Sequence, residues 1–502
     1  MKDNSRSEER SYTDASVSGS LKTQAIRSSI VSFVSRILTT LMQMIGVIVL
    51  ARLLTPDDFG LFAMASVFIS IFFVFQDVGL TDATIQASTL NQNIVSSLFW
   101  INFGIGLAIT ALLCLISPLA VNFFRKPELS SILIVSSLQF IFWGLSFQHV
   151  ALLKRQLLFL KTAIISVLAA AVSTTIGIIL ALTGCRYWAL VLRDLAWAIS
   201  TFALAWLFCR WRPGKPAHSQ EVKNLMKFGL NSVGFYIINY FSNNLDKIII
   251  GKKFDSEQLG YYSRSYYLAT TPSGQLSQSL FHVAISTLSK LRNNPAKFKS
   301  YYYDALSLIS FVGMPMSLLL TTFSREIVLL ILGPKWTSSV KLLSILGVSM
   351  GFNIIYNTNG WLHVSLGRSD RWLKWGILSS FLLIIGLIAG TFFGLTGIAW
   401  AYSLLIIILT FPSLLYAGQL ISISLKSIFK AVLKNTLAAY LSGVLVWQIK
   451  VVFLSKLMLF LRLLAGVLIY GLIYLLLLII ISRGLSPLKE YLRQVKSGLK
   501  LD

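Results

Sequence analysis

The chain has 502 residues, 55% hydrophobic and only 13% charged, with a mean hydropathy of +0.73; soluble domains run nearer a quarter charged, so a water-soluble enzyme is excluded. Lys and Arg number 44 against 19 Asp and Glu, a net charge of +25 that in a soluble protein would point to nucleic acid. The long apolar runs point to a membrane instead, with no nucleic-acid partner, and at ~20–25 residues per span the length holds about 14 transmembrane helices.

Residues 1–22 are rich in Ser, Arg, Glu and Asp and lack the apolar run and cleavage site of a signal peptide, so they read as a disordered cytoplasmic tail. Six apolar segments follow, near 24–50, 60–80, 94–121, 129–152, 161–183 and 187–208, forming an N-terminal lobe over 23–208. A polar linker, 209–223, carries Arg210, Arg212, Pro213, Gly214, Lys215 and Pro216 and marks the lobe boundary. Six more segments, near 224–249, 262–289, 298–322, 338–366, 371–393 and 396–420, make a C-terminal lobe over 224–420. Two last helices, 428–453 and 457–482, fall within 421–482, and 483–502 is a basic cytoplasmic tail. Lys and Arg are about twice as frequent on the side that holds both termini, which places those termini in the cytoplasm. The fold class is therefore an all-α polytopic membrane protein, two six-helix lobes plus two helices, with short loops and no extramembrane domain for independent chemistry.

The lobes are internal repeats. Asp57, Phe59, Gly60, Leu61 and Phe62 recur two hundred residues on as Glu257, Leu259, Gly260, Tyr261 and Tyr262. His149, Val150 and Leu152 return as His363, Val364 and Leu366, and Leu182, Thr183 and Gly184 as Leu395, Thr396 and Gly397. Six helices is an even number, so the copies are parallel repeats about an axis along the membrane normal, an arrangement that favours a carrier with its path at the repeat interface.

Polar stripes recur at equivalent positions. Ser29, Ser32, Arg36, Thr39, Gln43 and Gly46 lie on one face of the first helix, and Ser232, Tyr236, Asn239, Asn243 and Asp246 on one face of the seventh. Ser66, Ser70 and Asp77 are matched by Tyr266, Thr270 and Ser277 on the second and eighth, so helices 1, 2, 7 and 8 are expected to line a polar cavity. The competing reading is helix-packing glue. Arg36 resists it, because a mid-span Arg costs about 2.5–3.5 kcal/mol to insert and needs a wet cavity or a partner. Arg36, Thr39, Gln43, Asn239, Asn243, Arg52, Arg264 and Lys247 are the candidate substrate-binding residues, and Asp77, Asp246 and Asp194 the candidates for ion coupling. Arg193 and Asp194, as helix neighbours, are expected to point apart, each pairing elsewhere in a structural ion pair.

Cys114, Cys185 and Cys209 form no disulfide framework, and neither they nor His149, His218, His282 and His363 show metal-ligand spacing, so no metal or cofactor is expected. His149 and His363 read as structural. Adjacent Asp57 and Asp58 suit turn and cap chemistry better than glycosyl transfer. No phosphate-cradling Gly loop or nucleophile elbow is present, which argues against an ATP-driven pump and an enzyme.

The stretch from Leu50 to Gln86, with Ala51, Arg52, Leu53, Leu54, Thr55, Pro56, Phe59 and Gly60, then Asp77, Val78, Gly79 and Leu80, resembles the polysaccharide flippases of the multidrug/oligosaccharidyl-lipid/polysaccharide exporter superfamily, most of all the colanic acid exporter branch. Gly333, Pro334, Lys335 and Trp336 and the 6 + 6 + 2 helix plan resemble that family too. The resemblance implies a bacterial inner-membrane carrier of undecaprenyl-pyrophosphate-linked sugar repeat units, for capsule, exopolysaccharide or O-antigen assembly. It implies Arg36 as the phosphate contact, a polysaccharide polymerase and export machinery as candidate partners, and a monomer by default. A proton- or sodium-coupled drug antiporter of the same superfamily, relying on the buried carboxylates, remains an alternative, with a membrane glycan polymerase or ligase behind it for want of a long outer loop.

Overall fold

The structure, a computed structural model, describes residues 21–76, 80–86, 91–216, 240, 244–485, 488–489 and 491. These are helical almost throughout, with no strand among the described residues. The chain divides into two compact units, Met1–Gly260 and Tyr261–Asp502.

In the first unit the helices are α1 (Leu21–Leu53), α2 (Pro56–Gln76), α3 (Leu80–Gln86), α4 (Gln92–Phe124), α5 (Glu128–Arg155), α6 (Phe159–Leu182) and α7 (Trp188–Phe208). Local chemistry sets their ends. Asn91 caps α4 by accepting from the Ile94 amide at 2.8 Å, and Arg125, in the left-handed region at φ 57°, closes it by donating its amide to Val121 O. Pro56 opens α2 where its missing N–H costs nothing, and Asp58 accepts from the Thr55 amide at 3.0 Å and its hydroxyl at 2.7 Å. The expected helix over 60–80 therefore starts four residues earlier and is followed by the short α3. Packing of α4 on α5, α5 on α7, and α6 on both α7 and α1 builds the unit.

The expected linker is no free tether in its described part. Trp211 Nε1 donates to Gln92 Oε1 at 2.7 Å and Trp100 Nε1 to Gly214 O at 2.9 Å, so 209–216 is strapped to the start of α4. The remainder, 217–223, lies outside the described residues, as does most of the expected seventh helix, of which 244–253 is helical.

Helix α8 (Ser256–Lys290) leads into α9 (Pro295–Thr322), α10 (Ser324–Ile331), α11 (Thr337–Asn357), α12 (Asn359–Ser365), α13 (Ser369–Gly390), α14 (Gly394–Gly418), α15 (Leu425–Ile449) and α16 (Leu459–Ser482). The expected helix over 338–366 is broken into α11 and α12. There Thr358 Oγ1 donates to Ile355 O at 2.8 Å and lies 2.9 Å from the Tyr302 hydroxyl, so side chains stabilise the interruption. Helices α15 and α16 are held by two polar clusters. Asn435 donates to Ser307 O at 2.9 Å and Ser310 Oγ at 2.7 Å on α9. Glu326, 1% exposed, faces Lys450 at 3.3 Å and Arg462 at 3.7 Å.

Eleven stretches among the described residues are long and apolar enough to span a bilayer. The stretch Ser369–Ile421 is 53 residues long and contains both α13 and α14, each sufficient for ~30 Å of hydrocarbon at ~1.5 Å per residue. The protein is thus a multi-pass membrane protein with roughly the helix complement expected. The 35-residue α8 is long enough to span but more polar than the rest.

Candidate functional site

The sequence-derived candidates are not brought together into one described site. Asn239, Asn243 and Asp77 lie outside the described residues. Arg36 sits on an exposed face of α1, Thr39 and Gln43 are half-buried one and two turns on, and Gly46 packs against the Thr174 side chain of α6. The C-terminal end of that stripe is thus an intralobe helix contact, of the kind the packing reading describes. Ser66 and Ser70 on α2 donate to backbone carbonyls of their own helix, which spends their protons locally. Arg52 is exposed at the end of α1, and Arg264 lies over the Tyr267 ring at 5.2 Å.

Asp246 is buried and accepts from the Lys247 amide at 2.8 Å, while Lys247 Nζ donates to Asn244 Oδ1 at 2.8 Å. Arg193 and Asp194 do form a structural ion pair, as expected, but with each other rather than across the lobe, with Arg193 Nε and Nη2 at 2.8 and 2.7 Å from Asp194 Oδ1. The long Arg stem lies against Gly177 of α6, and the absence of a Cβ branch there lets the guanidinium swing back to its neighbour. Asp194 is therefore engaged in an ion pair on its own helix.

At the ends of α2 and α7, Asp57 and Asp58 behave as turn residues, as expected. Besides capping α2, Asp58 lies 3.3 Å from Arg186, and Asp57 accepts from Ser256 Oγ. His149 is fully buried, stacked on Trp206 at 4.6 Å and edge-on to Trp211 at 5.1 Å, a packing role. Cys209, just past the α7 span, has its thiol pushed above the ordinary range by burial. No group of His, Cys, Asp and Glu among the described residues is arranged for a metal.

The most site-like feature is one the sequence reading missed. A cavity of about 370 Å³ opens inside the first unit, where α5 ends and α6 begins. Trp143 and Trp197 wall it with rings, Ser35, Thr162 and Thr201 add hydroxyls, and Lys154 adds a cation; no Asp or Glu is in its lining. Trp143 Nε1 and Thr201 Oγ1 are buried without a hydrogen-bond partner, an arrangement that costs ~1–3 kcal/mol per group unless a polar ligand meets it. Thr162 and Ser166 hydroxyls donate to Phe159 O and Thr162 O, so their lone pairs face outward as acceptors. Neighbouring cations are occupied otherwise: Arg155 donates to Thr84 O at 3.1 Å and Ile85 O at 3.2 Å, and Lys161 to Phe208 O at 3.4 Å. Positions 143, 147, 150 and 154, spaced 4, 3 and 4, place Trp143, Phe147, Val150 and Lys154 on one face of α5, a signal present in the sequence. Three of the four are aromatic or aliphatic, the pattern of a core-facing stripe.

Chemically, an aromatic-walled, hydroxyl-lined pocket with one cation and no carboxylate suits a neutral or anionic polar group. The family described as "Polysaccharide biosynthesis protein" matches residues 49–341, more than half of the sequence, and the chain belongs to that family. It is 25% identical over 401 residues to "Lipopolysaccharide biosynthesis protein WzxC" of Escherichia coli K12, covering 78% of this chain and 81% of that one. It is 23% identical to "Teichuronic acid biosynthesis protein TuaB" of Bacillus subtilis 168, covering 74% and 78%. Among solved structures, the inward closed form of the "Lipid II flippase MurJ" superposes with a TM-score of 0.69 at 18% identity, over 91% of this chain and 99% of that one. The fold is therefore of the MurJ type.

Proposed function

We propose that this protein is a carrier that moves undecaprenyl-pyrophosphate-linked oligosaccharide repeat units from the cytoplasmic to the outer leaflet of a bacterial inner membrane. The observation that carries the reading is the match to a polysaccharide biosynthesis family by a chain made almost wholly of membrane helices. The described connections between spans are short, as at 125–127 and 183–187, and leave no room for a separate catalytic domain. What such a chain contributes to polysaccharide assembly is movement across the bilayer. The relatives named for lipopolysaccharide and teichuronic acid biosynthesis, and the fold of a lipid II flippase, support the same class of cargo.

Physical chemistry supplies the need. A pyrophosphate bearing several sugars cannot cross hydrocarbon unaided, because each desolvated polar group costs several kcal/mol. A carrier replaces that hydration with hydroxyls, amides and cations, and rocking of one six-helix repeat against the other gives alternating access. Arg36, on the mid-span of α1, is the phosphate contact in this account, with Thr39, Gln43, Asn239 and Asn243 as its polar surroundings and Arg52, Arg264 and Lys247 along the path. Both termini are cytoplasmic, and the monomer hands its cargo to a polymerase and export machinery on the outer side.

Deletion in the host tests the reading. With a membrane-impermeant glycan probe applied to spheroplasts, completed lipid-linked units accumulate only on the cytoplasmic face if the protein is the carrier. Accumulation of unpolymerised units on the outer face overturns it in favour of a polymerase or ligase.

A further inference from the structure

The Trp143–Lys154 pocket does not stand alone. Beside it runs a groove of about 390 Å³ between α1 and α6, lined by aliphatic side chains such as Ile30, Val34, Leu38, Leu160 and Leu168. Ser35 and Ala163 line both, so groove and pocket adjoin. The groove lies along 30–38 of α1 and the first half of α6, and the pocket adds the second half of α5 with Trp197 and Thr201 of α7, so that Lys154 sits at the helix end that the charge bias places on the cytoplasmic side. Side by side are thus a long apolar trough and a polar chamber with a cation and two unmet hydrogen-bonding groups.

We infer that this is an entry site for the inner-leaflet lipid: the α1–α6 groove takes the polyprenyl chain and the Trp143–Lys154 pocket takes the phosphate-linked first sugar. The inference rests on the carrier reading above and names a docking place on it. Lys154 reaches the phosphate by a charge-assisted hydrogen bond; no hydrogen bond or ion pair occupies it among the described residues. The rings of Trp143 and Trp197 present flat apolar faces to a sugar, while Trp143 Nε1 and Thr201 Oγ1 gain the hydroxyl partners that the folded protein withholds from them. The cavity is in the range of ~300–1,000 Å³ typical of small-ligand sites, large enough for a head group and too small for a whole repeat unit and its tail. The lining has no carboxylate to repel a phosphate. A methyl-branched, unsaturated prenyl tail fits an aliphatic trough in which contact is dispersion rather than water exclusion.

The test uses the full-length protein in nanodiscs and undecaprenyl pyrophosphate with a photoreactive group on its first isoprene. Crosslinks are expected within 30–38 and 160–168. Val34→Trp, which plugs the groove from a side chain 47% exposed, is expected to cut labelling several-fold. Leu115→Trp, equally bulky at a 75% exposed position away from the groove, is expected to leave it unchanged. Lys154→Gln is expected to weaken binding about tenfold, the loss of one charge-assisted bond. Crosslinks elsewhere, indifference to both Val34→Trp and Lys154→Gln, or equal displacement by phosphatidylglycerol would overturn the entry site and leave the carrier reading standing. Failure of the wild-type protein to bind the probe at all would overturn both.

Discussion

In the proposed transport chemistry Arg36 is the phosphate contact. A guanidinium within a span costs about 2.5–3.5 kcal/mol to insert and needs a wet cavity or a partner. Arg36→Gln keeps hydrogen-bonding capacity and removes the charge, so export in a deletion host is expected to fall to background while the protein stays at normal level in the membrane. Normal export by the variant, at matched protein level, would remove Arg36 from the phosphate role. Asp58 belongs to the same scale with the opposite character. It is 1% exposed and accepts from the Thr55 amide and hydroxyl, so Asp58→Ala is expected to cost about 1–2 kcal/mol and lower the melting temperature, with Asp58→Asn costing less. Polar residues of this kind were only partly legible in the sequence. The Asp57 and Asp58 turn could be read from local spacing, because its partners are three residues away. Arg193 and Asp194 could not, because their pairing depends on Gly177 of a neighbouring helix giving the Arg stem room to fold back.

At the scale of elements, the apolar runs marked the helices because hydrocarbon demands about 20 apolar residues whatever the tertiary fold. The boundaries that moved, at Pro56 and at Asn357, are those where a cap or a tertiary hydroxyl decides. The starts of α2 and α8 illustrate what the repeat means physically. Gly60 and Gly260 are repeat mates, and each lies against the backbone opposite: a Cβ on Gly60 would fall 1.6 Å from Ser256 O, and one on Gly260 1.9 Å from Pro56 O. Alanine at either is expected to push the helix starts apart and destabilise the protein by ~1–3 kcal/mol. Gly104→Ala, where nothing lies within 4 Å, is expected to be neutral or slightly stabilising. Melting of the three purified variants in detergent checks the contrast; equal melting points would show that the crossing tolerates a methyl group. The pocket, by comparison, was hidden in the sequence because its α5 face is mostly apolar and its polar groups come from several helices, Lys154 on α5, Thr162 and Ser166 on α6, Thr201 on α7 and Ser35 on α1.

For the whole molecule, the orientation proposed from charge bias is open to chemistry at two thiols. Cys185 lies in the α6–α7 turn, half-buried, on the side assigned to the exterior, whereas Cys209 is buried at the opposite end of α7. Burial holds the Cys209 thiol above its ordinary value, so near pH 8 it stays protonated and slow to alkylate. In single-cysteine variants on intact spheroplasts, an impermeant maleimide is expected to label Cys185 and not Cys209. Labelling of Cys185 only in inverted vesicles would reverse the assigned topology.

The central claim is movement of a lipid-linked glycan, and reconstitution tests it without a host's other enzymes. Purified protein in liposomes, supplied with fluorescent undecaprenyl-pyrophosphate-linked repeat units in one leaflet, is predicted to transfer them to the other, seen as protection from an impermeant quencher, and to lose that transfer with Arg36→Gln. Folded wild-type protein that transfers no more than protein-free liposomes, or that lengthens the glycan without moving it, would contradict the account.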